Sequence, residues 1–154
     1  MKKGPLTRES LGEHIACIKR LRPDAQPAFG MLDATGLMRH LRFAMEASIG
    51  DPETADHSKR ILRVILWVLF FRIFTRWPGG KIKAPPEATP VPEHAFEDEQ
   101  RLLLDVMRRF VEKLESAPEE RHVNPGLGPI TVRNWSRLHG VHHQHHYRQF
   151  RLLD

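Results

Sequence analysis

A chain of 154 residues, 40% hydrophobic and 28% charged, has the length and composition of one globular domain with its own core, which excludes wholesale disorder. The formal charge of +5 comes from Lys and Arg scattered along the chain, with no basic run interleaved with aromatics, so nucleic-acid binding is not expected. The single cysteine, Cys17, excludes an intramolecular disulfide and any Cys-rich zinc motif and fits a reducing, cytoplasmic setting, and no export signal is visible behind the positive amino terminus.

The first helical pattern runs from Thr7 or Ser10 to Leu21, with Leu11, Ile15, Ile18 and Leu21 at helical spacing and Pro23 closing it. Cys17 lies one step off that stripe and reads as a small, semi-buried hydrophobe. After a connection with Pro23 and Pro27, a second helix starts at Asp33, a good N-cap, and ends at Gly50. Its inner stripe is Leu37, Leu41, Ala44 and Ser48. His40 is about 60° from the middle of that stripe, while Arg39 and Arg42 point away from it.

The stretch Ile61–Trp77 is apolar on nearly every side, yet Arg63, Arg72 and Arg76 interrupt it. Its uninterrupted run, Val64–Phe71, is far short of the ~20 residues of a membrane span. A helix here needs cover on more than one face, which a homodimer surface supplies, with contact to a membrane surface as the alternative. Pro78, Pro85, Pro86, Pro90 and Pro92 then mark a long loop, read either as a lid or as a spacer. A further helix runs from Glu93 to Ser116, with Phe96, Leu103, Val106, Phe110 and Leu114 inward, and Pro118 ends it. Gly126, Gly128 and Pro129 form another irregular connection, after which Thr131 can cap the last helix.

That last helix holds five of the ten histidines. Two pairs have the four-residue spacing that sets one imidazole above another, His139 with His143 and His142 with His146. At about 100° per residue, Trp135, Leu138, His142, His146, Gln149 and Leu153 share one stripe and Arg137, Gln144, Arg148 and Arg151 lie opposite. His142 and His146 therefore occupy the centre of the inner face. His139 lies nearby and is the rival ligand, and His143 and His145 sit toward the flanks. With His40 on a facing helix, three imidazoles are available for a metal in a bundle core.

Three neutral imidazoles suit zinc or nickel and leave a coordination position open for water or substrate, the mark of a catalytic site. Glu46, Asp33 and Gln149 are candidates to support the ligands. Gly79-Gly80 lacks the Lys-Ser/Thr of a phosphate loop and reads as a turn, and no serine sits in a strand-to-helix elbow.

The order of elements, His40-Leu41 in the second helix, the long Pro/Gly-rich loop, Gly128-Pro129-Ile130-Thr131 before Asn134-Trp135, and the terminal His142-x-x-x-His146-x-x-Gln149-Phe150 together resemble the DinB/YfiT-like metal-binding four-helix bundles. The resemblance covers most of the chain. The four helical stripes and the absence of alternating strand patterns predict an all-α, four-helix-type bundle with a preceding or accessory fifth segment and no sheet, and the resemblance implies a four-helix bundle with a three-histidine divalent-metal site made by His40, His142 and His146. It also implies a small-molecule substrate and, as in the thiol-dependent transferases and isomerases of that superfamily, a low-molecular-weight thiol. Two classes of function follow: a metal-dependent transferase or hydrolase in which a metal-activated thiol or water attacks a small electrophile, or a non-catalytic bundle that dimerises or contacts a membrane surface and keeps a vestigial site.

Overall fold

The computed structural model describes residues 4–51, 56, 63, 65 and 90–153. The apolar stretch 61–77, apart from Arg63 and Ile65, and the Pro-rich loop up to residue 89 lie outside the described residues, and with them the expected homodimer surface and lid. The rest is mostly helical: α1 (Arg8–Arg20), α2 (Ala34–Ser48), α3 (Phe96–Ser116), strands β1 (Arg121–Asn124) and β2 (Gly128–Thr131), and α4 (Val132–Gln149). No helix among the described residues is long and apolar enough to cross a membrane.

Local chemistry sets the helix ends. The backbone N–H of Thr7 donates to Ser10 Oγ at 2.9 Å at the start of α1. Asp33 caps α2 by accepting from Gly36 N at 2.6 Å, and Gly50, at φ 81°, follows its last turn. Thr131 caps α4, accepting from Asn134 N at 3.2 Å. Each cap satisfies a donor that the first turn of a helix leaves without a partner.

The core is built from Ile18 and Leu21 of α1, Leu37, Leu41 and Met45 of α2, Leu103, Met107 and Phe110 of α3, and Trp135, Leu138 and Tyr147 of α4. Cys17 is buried within it, 4% exposed, more fully than the semi-buried position one step off the α1 stripe that the sequence suggests. Arg8 and Glu115 form an exposed ion pair between α1 and the end of α3.

Three sequence expectations need correction. The chain is not free of sheet: β1 and β2 form an antiparallel hairpin, from Arg121 opposite Thr131 to Asn124 opposite Gly128. Its turn is fixed by Asn124 Oδ1, which accepts from the backbone of Gly126 and Leu127, both at 3.0 Å. Four-residue strands that include Gly and Pro carry too little alternation to be read from sequence. Arg39 and Arg42 do not point away from the core; Arg42 is 8% exposed and pairs with the fully buried Glu99 of α3, Nε to Oε2 at 2.9 Å. Arg39 and Arg42 also share Glu46, at 3.4 and 3.3 Å. Gln144, placed opposite the inner face of α4, is buried as well.

The reason for that last difference is that α4 is enclosed on several sides rather than one. The segment before α1 straps across it: Leu6 N donates to Ser136 O at 2.9 Å, and Ser136 Oγ donates to Leu6 O at 2.7 Å. Gly140 permits the crossing, because a Cβ there would land inside the van der Waals envelope of the Gly4 carbonyl oxygen and 3.0 Å from Pro5 Cα. Ala within a helix normally gains about 0.5–1 kcal/mol over Gly. Here the clash with backbone should outweigh it by an overpacking penalty of about 1–3 kcal/mol. Gly140→Ala is therefore expected to lower the thermal midpoint, and an unchanged or raised midpoint would contradict the strap.

Candidate metal centre

α2 and α4 bring His40, His142 and His146 together. His142 Nε2 lies 2.9 Å from His40 Nε2 and 3.0 Å from His146 Nε2. The three ring centroids are 4.7–5.0 Å apart. One ligand atom from each residue falls within 4.8 Å of the other two, and among the described residues this is the one group of three or more His, Cys, Asp or Glu side chains so arranged. Three imidazole nitrogens this close together suit a divalent ion bound at metal–nitrogen distances of ~2.0–2.1 Å. His40 and His146 are buried and His142 is half-buried, so the cluster sits near the surface of the core.

One of the three imidazoles has a visible support. Gln149 Nε2 donates to Phe29 O at 2.7 Å, which turns its Oε1 toward His146 Nδ1, also at 2.7 Å. Nδ1 must then carry the proton, and the Nε2 lone pair is left for a metal. The loop between α1 and α2 holds the clamp in place, since Ala28 N donates to Gln149 O at 2.7 Å. Gly30 is at φ 81°, and a Cβ there would stand 2.6 Å from Gln149 Nε2. Of the three candidate supports, Gln149 meets a ligand, whereas Asp33 caps α2 and Glu46 joins the arginine pairs. Gln149→Leu should weaken metal affinity about 10–100-fold, the usual effect of losing such a partner. Competition against a chromophoric chelator measures it; unchanged affinity would show that the clamp is idle.

Burial pushes the His142 and His146 imidazoles well below their ordinary range, and neighbouring imidazoles, His146 and His40 around His142 and His40 and His145 around His146, push the same way. The lone pairs are thus free of protons at neutral pH, as ligation requires. His145, also lowered by burial, stays beside the group, its ring 4.9 Å from that of His146 and 5.4 Å from Phe29.

The other four-spaced pair does not join the cluster. His139 and His143 are both 0% exposed, so His143 is not on a flank. His139 stacks on Trp135 at 5.3 Å and meets Phe110 edge-on at 5.0 Å. His143 packs between His139 and the His14 ring of α1. Nothing in the sequence of α1 distinguishes an inward histidine from a rim one, and the spacing of three between His14 and Cys17 is the one local sign that His14 faces inward.

No curated protein and no solved structure matches the chain. A family model described as a protein of unknown function, DUF1569, matches residues 1–152, and the chain belongs to that family.

Proposed function

We propose that the protein is a metal-dependent enzyme of the DinB/YfiT-like type, a four-helix bundle whose His40, His142 and His146 hold a divalent ion, zinc or nickel. The observation that carries this is the convergence of three Nε2 atoms from two helices, with separations of 2.9 and 3.0 Å. The ligand group contains no carboxylate. Neutral imidazoles would leave the charge of a bound divalent ion in place, which would favour an anion as partner, the deprotonated form of a water or a thiol. The ion supplies Lewis acidity that stabilises that anion near neutral pH. The chain's own part is to orient the ligands, with Gln149 fixing the His146 tautomer and Phe29 and His145 forming the adjacent wall. The reaction is attack of the activated thiol or water on a small electrophile, transfer in the first case and hydrolysis in the second.

The test is an activity screen with low-molecular-weight thiols and with water as acceptors, run on metal-loaded, chelated and reconstituted protein. Activity that disappears on chelation, returns with zinc or nickel, and is absent in His146→Ala is expected. If metal binds but chelation changes no activity, the ion is structural and the enzymatic reading is wrong.

A further inference from the structure

The clamp on His146 takes from Phe29 only its backbone carbonyl, which accepts from Gln149 Nε2 at 2.7 Å, and any residue could supply that. The phenyl ring is not used up in the core either: Phe29 is 39% exposed, and its ring lies against that of His145 at 5.4 Å. The His145 ring in turn stands 4.9 Å from that of His146. Phe29 is thus two ring contacts from one of the three converging imidazoles and still reaches water. Gly30, at φ 81°, turns the chain directly after it, and the fully exposed Met31 follows. Two of the four exposed large hydrophobics among the described residues therefore stand on the loop that holds His146. Apolar side chains scattered singly over a surface are ordinary; two together on a loop tied to a candidate metal centre mark a place where an apolar group is taken out of water.

An aromatic face can also hold a cation. The surrounding charge argues against one here. Among the described residues, the titratable groups acting on His145 and His146 are His40, His145 and Arg148, with no carboxylate. Arg148 donates to the neutral oxygens of Gln144, at 3.3 and 3.5 Å, so its charge is not cancelled by that contact. A divalent ion held by neutral imidazoles would add to the same sign. We propose that Phe29 is the specificity-determining residue of the His40, His142 and His146 centre, and that the small molecule bound there carries an aromatic or bulky apolar group and no positive charge. The inference rests on the enzymatic reading above and names its substrate class. The apolar group packs on the Phe29 ring, which His145 backs, while the reacting atom meets the metal.

The experiment is thiol binding to cobalt(II)-loaded protein, read from the sulfur-to-cobalt charge-transfer band rather than from turnover. Benzyl mercaptan, 2-mercaptoethanol and cysteamine are titrated at one pH into wild type, Phe29→Ala and Phe29→Tyr. Comparing each thiol with itself across the three proteins cancels its acidity. Benzyl mercaptan should bind Phe29→Ala about tenfold more weakly than wild type, the loss of one aromatic contact, and Phe29→Tyr should keep the affinity. The small 2-mercaptoethanol and the cationic cysteamine should bind all three proteins alike. Equal weakening of every thiol in Phe29→Ala, weakening of cysteamine alone, or no change would overturn the proposal. Loss of cobalt from Phe29→Ala would overturn it too, because the side chain would then serve the clamp. Wild type that holds no cobalt, or holds cobalt that no thiol reaches, would instead remove the enzymatic reading and this proposal with it, so the two failures are distinct.

Discussion

Replacing Arg42 with Ala should destabilise the protein by about 3–5 kcal/mol, a large fraction of the stability of a domain this size. Glu99 is 0% exposed, and Arg42 faces both of its oxygens, Nε to Oε2 at 2.9 Å and Nη2 to Oε1 at 3.3 Å. Removing the guanidinium strands a carboxylate where water cannot reach it. Glu99 also accepts from the backbone of Glu93 at 3.3 Å, so the same change loosens the chain entering α3. The charge pair itself is not worth that much. Arg42→Met with Glu99→Leu should recover most of the loss, because two apolar side chains of similar size avoid the desolvation that the pair must offset. Urea unfolding of the single and double variants separates the outcomes. A double variant as unstable as Arg42→Ala alone would show that the pair's net attraction, not the stranded charge, dominates.

Acid should weaken the metal-free protein well before its carboxylates titrate. Burial lowers His14 to about 4 and His139 to about 3, from an ordinary 6.5. The unfolded chain then binds more protons than the folded one below pH 6.5, so stability falls as pH falls. The contribution of these histidines is complete above pH 6.5 and is lost progressively as pH drops toward 4 for His14 and 3 for His139. At pH 5 the loss is about 2 kcal/mol apiece, ~4 kcal/mol together. The urea midpoint of chelated protein should drop between pH 6.5 and 5, and His139→Phe should drop less steeply. A flat midpoint over that range would mean that the two imidazoles are not held neutral by burial.

The parts of this structure legible in the sequence are those fixed by local spacing. Asp33 and Thr131 announce helix starts because capping is a contact over three residues, and His142 and His146 announce two imidazoles on one face because four residues make about one turn. His40 was reachable because one apolar stripe defines which side of α2 faces in. Single-stripe reasoning fails where a helix is enclosed on several sides. It put His143 on a flank and Gln144 outside, whereas the strap at Leu6 and the packing of His14 bury both sides of α4. It also sent Arg42 outward, because a charged residue faces solvent unless a partner is known. Glu99 lies 57 residues away in sequence, and only the folded chain brings it near. The hairpin escaped because its strands are too short to show a period.

Anomalous scattering from crystals grown with zinc, recorded on both sides of the zinc edge, addresses the proposed metal centre of His40, His142 and His146 most directly. One strong peak is expected at ~2.0–2.1 Å from the Nε2 atoms of His40, His142 and His146, with a further position open. The peak should be absent in His142→Ala and His146→Ala and unchanged in His145→Ala. A peak ligated by His139 or His143 in place of His142 and His146, or no peak among these three rings, would contradict the assignment of the site.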